Sequence, residues 1–121
     1  MKIPLDKVIS RVVALGVPGL VLVVAVAYTG LAGGAAIVAA LALLGGPLGM
    51  IGGMVILGLL VLISEALAEY GFKAVFNRTL RGLRQNGYTK AQIIEAIGSY
   101  PISSGLKLKL RASVEQFWDG D

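Results

Sequence analysis

The stretch VVALGVPGLVLVVAVAYTGLAGGAAIVAALALLGGPLGMIGGMVILGLLVLIS, residues 12–64, contains no Asp, Glu, Lys, Arg or His and is bracketed by Arg11 and Glu65. About 20 apolar helical residues are enough to cross the ~30 Å hydrocarbon core of a bilayer. As a single straight helix the run would reach roughly 80 Å at ~1.5 Å per residue, so it has to fold back on itself. It predicts an all-α integral membrane protein built on a glycine-rich transmembrane helical hairpin.

The breakers inside the run decide where it turns. They are Val17-Pro18-Gly19, Thr29-Gly30 with Gly33-Gly34, and Gly45-Gly46-Pro47. Glycine just past a helix end supplies the left-handed stop, and proline suits the first turn of the next helix because its missing N–H would be unpaired there. The strongest of the three, Gly45 to Pro47, predicts one helix over residues 18–44 and a second over 47–69. Residues 4–16 form an interfacial lead-in. A turn at Thr29 to Gly34, with Tyr28 as an interfacial anchor, is the competing arrangement.

On both sides of the run the chain is net basic. Lys2, Lys7 and Arg11 precede it, and Lys73, Arg78, Arg81 and Arg84 follow it. Basic flanks tend to remain cytoplasmic, so both want the same side of the membrane. That favours an even number of crossings with both termini cytoplasmic. Basic residues followed by an apolar stretch and by Ala25 and Ala27 also fit a secretory signal, but the run continues far beyond such a cut, to Ser64.

After Ser64 the pattern becomes amphipathic. Residues 65–85 read as a helix leaving the membrane, with Phe72, Phe76, Leu80 and Leu83 on one stripe. Asn86-Gly87 is its stop, and Thr89-Lys90-Ala91-Gln92 has the form of a capping box opening a short helix that ends near Gly98. Leu106 to Trp118 carries a further helical stripe of Leu106, Leu110, Val114 and Phe117, although Leu106 to Ala112 alternate as a strand would. The helical stripe is the longer pattern and decides for helix. The organisation expected is therefore a membrane unit, residues 1–69, and a cytoplasmic cluster of amphipathic helices, residues 70–121.

Small residues recur at helical spacing within the run: Gly30 and Gly34 beside Ala36 and Ala40, then Gly45, Gly49 and Gly53. In lipid the hydrophobic effect does not draw helices together, so close backbone approach over such residues does. With 17 Gly in 121 residues, well above the usual ~7%, these positions are the expected packing and homo-oligomer faces. The pattern resembles the glycine-rich hairpin of the proton-carrying rotor subunit of ATP synthases. The carboxylate that such a subunit needs in its second helix is absent, since no acid lies between Asp6 and Glu65.

Lys73, Arg78, Arg81, Arg84, Lys107, Lys109 and Arg111 are candidate contacts to anionic lipid headgroups, each worth about 1 kcal/mol when held near that surface. Glu65 and Glu69, where the second leg ends, would form an acidic ring at a pore mouth if copies assembled about an axis. The plainer alternative is an i,i+4 pair between Glu69 and Lys73.

The chain has no Cys and no His, which removes thiol and imidazole catalysis and Cys/His zinc sites. No Gly-Lys-Ser/Thr phosphate loop, catalytic triad or nucleic-acid motif is present, so no enzyme, cofactor, metal or nucleic-acid partner is expected. The function expected is self-assembly in the bilayer into a pore-like or membrane-perturbing complex. The rivals are an anchor or adaptor whose basic tail binds a protein partner, and a hairpin that curves membranes.

Overall fold

A computed structural model describes residues 4–43, 53–99 and 103–120, with side chains described for 4–30, 58–99 and 103–120. The described chain is helical throughout: α1 Leu5–Ala14, α2 Val17–Leu43, α3 Gly53–Tyr70, α4 Phe72–Gln85, α5 Lys90–Ser99 and α6 Ser104–Gly120. The expected turn at Gly45 to Pro47 lies outside the described residues.

α1 starts after Pro4, carries Asp6 in its first turn and Arg11 in its last, and buries Leu5, Val8 and Val12 on one stripe. The charge placement suits the helix dipole at both ends. Gly16, at φ +74, lets the chain reverse into α2, and Pro18 occupies the first turn of the new helix. α1 and α2 meet so closely that a Cβ on Gly19 would lie 2.1 Å from the Val12 carbonyl oxygen. Only hydrogen fits there.

From Gly19 to Val26 every residue of α2 is buried. An α-helix that is apolar all round must be covered all round, and here the cover is protein. Val17, Leu20, Val21 and Val24, at i, i+3, i+4 and i+7, face one core with Phe76, Leu80 and Leu83 of α4, Ile93 and Ile97 of α5, and Leu110, Val114 and Phe117 of α6. Leu22, Val23 and Val26 face a second core with Leu5, Val8 and Val12 of α1, Leu59, Leu60, Ile63 and Ala66 of α3, and Val75 of α4. This part of α2 is a spine shared by two cores. The expectation that the first leg meets lipid from Pro18 onward is corrected for Val17 to Val26, because the flanking amphipathic helices enclose them.

Two further expectations change. The helix over residues 18–44 is found at Val17–Leu43 but breaks at Gly30, whose φ of +80 and ψ of −174 are non-helical; that combination is open essentially to glycine alone. The single helix over residues 65–85 is also interrupted, at Gly71, with φ +88 and ψ 158. Ile63 and Leu83 are both buried, yet on an unbroken helix they would point about 200° apart at ~3.6 residues per turn. The break lets both stripes turn inward.

The local signals after Gly71 are present as read. Gly87 adopts φ +97 after α4. At the start of α5 the Thr89 N–H donates to Gln92 Oε1 at 2.9 Å, and the Gln92 N–H donates to Thr89 Oγ1 at 3.1 Å. Ser103 Oγ accepts the Leu106 N–H at 3.2 Å, and the Leu106 to Ala112 segment is helical. Buried Thr79 donates its hydroxyl to the Val75 carbonyl at 2.8 Å. Among the described residues, no helix is long and apolar enough to cross a membrane.

Candidate functional site

α4 packs on both α1 and α2, with Phe72 at its start meeting Tyr28 of α2 and Gly82 near its end packing on Val13 of α1. Tyr28, 47% exposed, stands at the end of that segment, two residues before the break. Its ring meets Phe72 edge-on at 5.6 Å, and Phe72 stacks on Phe76 at 5.1 Å. Lys109 of α6 places Nζ 4.6 Å from the Tyr28 ring centroid, within cation–π range. Thr29 donates its hydroxyl to the Ala25 carbonyl, finishing the last turn before Gly30.

Beneath Tyr28 a surface cavity of about 530 Å³ opens between α4 and α6. Phe72, Phe76 and Phe117 supply apolar lining. Lys73, Asn77 and Arg81 form one wall at i, i+4 and i+8 on α4, and Ser113 and Gln116 come from α6. Two cations, three neutral polar groups and aromatic rings line this cavity, with no carboxylate among its described lining residues.

The other basic residues singled out in the sequence are held elsewhere. Arg78 pairs with Asp6 of α1 at 3.0 Å, both side chains largely in solvent. The Arg84 guanidinium lies over Phe117 at 5.0 Å and Trp118 at 5.7 Å. Lys107 Nζ donates to the Gly98 carbonyl at 2.9 Å, and Arg111 is exposed on α6. The seven residues therefore do not form one basic face. Lys73 and Arg81 share the cavity, Lys109 joins them through Tyr28, Arg78, Arg84 and Lys107 make other contacts, and Arg111 is exposed on α6.

Glu65 and Glu69 are both exposed on α3. Glu69 makes no ion pair with Lys73, because Gly71 breaks the helix between them. Of the small-residue positions, Gly30 is a backbone break where a Cβ would meet nothing within 4 Å. Gly34, Ala36 and Ala40 lie in α2, Gly53 begins α3, and Gly45 and Gly49 lie outside the described residues.

Among the glycines whose surroundings are described, those in tight contact are Gly16, Gly19 and Gly82. A Cβ on Gly82 would come 2.7 Å from a Val13 methyl, and one on Gly16 would come 2.8 Å from the Tyr88 hydroxyl. Gly82 continues a line of smaller residues, Val75 and Thr79, at i, i+4 and i+7, which is the pattern that marks close approach to α1. The cavity had a comparable signal in Lys73, Asn77 and Arg81, a polar line running beside the Phe72–Phe76 stripe.

No protein-family model matches this chain, and neither curated proteins nor solved structures give a significant match. The functional reading rests on the residues themselves.

Proposed function

We propose that this protein is a self-associating, membrane-perturbing protein. Its charge-free segment, Leu31 to Leu57, enters the bilayer while the helices around the α2 spine stay at the membrane surface. The observation that carries the reading is the enclosure of Val17 to Val26 by α1, α3, α4, α5 and α6. The fold meets the burial needs of the start of the run. Leu31 to Leu57, equally free of ionisable side chains, is the part for which lipid is the natural solvent.

The length of the arms sets the depth. Residues 31–43 of α2 span roughly 20 Å at ~1.5 Å per residue, against a hydrocarbon core of ~30 Å. A single copy dips into the bilayer and strains it, and thinning the membrane around short apolar segments is a recognised response to such mismatch. Association of copies through Gly34, Ala36, Ala40, Gly45, Gly49 and Gly53 would enlarge the perturbation into a pore-like defect, since backbone approach over small residues is what holds helices together in lipid. In such an assembly Glu65 and Glu69 would sit near the mouth. In this reading the surface helices and both termini lie on the cytoplasmic side, which the basic flanks favour.

Because the chain contains no Cys, single-cysteine variants report insertion cleanly. With liposomes, Ala40→Cys should become shielded from a membrane-impermeant maleimide while Arg111→Cys stays reactive. Entrapped dye should leak, and Gly49→Leu with Gly53→Leu should remove both leakage and oligomers. A chain that stays monomeric, labels equally at both positions and releases no dye would overturn the proposal.

A further inference from the structure

We propose that the cavity beneath Tyr28 is a binding site for the phosphate headgroup of an anionic lipid. Phosphate is the chemistry its lining fits. Lys73 and Arg81 supply two positive charges two helical turns apart on α4, and among the described residues of the lining there is no carboxylate to compete for them. Among the described residues neither is engaged in an ion pair, whereas Arg78 is held by Asp6 and Lys90 by Asp119. Asn77, Ser113 and Gln116 add neutral groups able to bond phosphate or glycerol oxygens, and an Arg guanidinium can do so with two parallel N–H donors. The cavity volume of about 530 Å³ falls within the ~300–1,000 Å³ typical of small-molecule sites.

The apolar half of the lining argues for a lipid over a free anion. Phe72, part-exposed and backed by the buried rings of Phe76 and Phe117, would be wasted on inorganic phosphate but suits the glycerol and first methylenes of an acyl chain. Position agrees, and here the inference rests on the membrane reading above. The cavity lies at Tyr28, just before Gly30 and the segment assigned to lipid, so a bound headgroup would leave its chains free to run beside Leu31 to Leu57. Lys109, over the Tyr28 ring, adds a third positive charge at the same place. This is a pocket for one headgroup, distinct from diffuse attraction of a basic surface.

The full-length protein in mild detergent, exposed to equimolar phosphatidylglycerol and phosphatidylcholine and examined by native mass spectrometry, tests the site. One phosphatidylglycerol per chain should be retained at least about tenfold over phosphatidylcholine, the discrimination two well-placed cations supply. Lys73→Gln with Arg81→Gln should abolish the preference, and the equal charge loss of Arg78→Gln with Arg111→Gln should leave it, helical content being checked in both by circular dichroism. Equal loss in the two double variants would reduce the effect to surface charge and overturn the site. Glycerol phosphate or inorganic phosphate competing as well as the lipid would overturn the lipid assignment. Maleimide shielding of Ala40→Cys in liposomes separates the two readings. Selective lipid retention without shielding would keep the pocket and reject insertion, and shielding without selectivity would do the reverse.

Discussion

The two legs of the charge-free run are alike in composition and unlike in surroundings. On α2, Gly19 to Val26 are covered on every side. On α3, Leu59, Leu60, Ile63 and Ala66 are buried while Val61 is 45% exposed. α2 stands between two cores and is reached by α4, α5 and α6 on one face and by α1, α3 and α4 on the other. α3 joins only the second. Hydropathy reports the cost of leaving a side chain in water, but it does not say whether protein or lipid replaces the water. That choice is made by which amphipathic helices are at hand to provide cover, and here α5 and α6 provide it for α2 alone.

A buried charge breaks the comparison most sharply. Val21→Asp should prevent folding, since an unpaired carboxylate in the first core costs several kcal/mol at the least (~2–7 for even an uncharged polar group). Val61→Asp should change the unfolding midpoint little. Denaturant titration followed by the fluorescence of Trp118, the single Trp of the chain, distinguishes the two.

Glycines give a second, smaller contrast. Gly19→Ala forces a methyl against the Val12 carbonyl, a main-chain atom with no rotamer to yield, and should cost about 3 kcal/mol. At Gly58 a Cβ would meet nothing within 4 Å, so Gly58→Ala should stabilise α3 by up to ~1 kcal/mol. Equal effects at the two positions, measured by the same titration, would mean that α2 and α3 are covered alike. The smallest effect concerns the cover itself. Thr89→Ala removes the cap of α5 and should cost about 1 kcal/mol, with faster amide exchange at Ile93 and Ile97 and then on the first-core face of α2.

The sequence was informative wherever a local rule acts within a few residues. The Val17-Pro18-Gly19 breaker, the Asn86-Gly87 stop, the Thr89–Gln92 capping box and the stripes of α4 and α6 follow from spacing alone. It placed a helix over α3 but did not show which face would be buried, because Gly53 to Ile63 are apolar on all sides. The mismatch in phase between Ile63 and Leu83, which requires the break at Gly71, therefore went unseen. The close packing of Gly19 and Gly82 on α1 was overlooked for a related reason. Their partners belong to α1, and only tertiary structure brings those partners near. The cavity was half legible. Lys73, Asn77 and Arg81 lie on one line of α4, but Tyr28 and Ser113 are 85 residues apart and meet only because α4 and α6 both dock on the spine.

That shared spine also governs the order of events during synthesis. Val17 to Val26 leave the ribosome well before Phe117, and at ~5–20 residues per second the wait is on the order of 5–20 s. For that interval the nascent segment has no lid on one side and is at its stickiest. Any apolar phase or holding factor close by in those seconds would compete with α5 and α6 for the same surface, and slower translation would lengthen that competition.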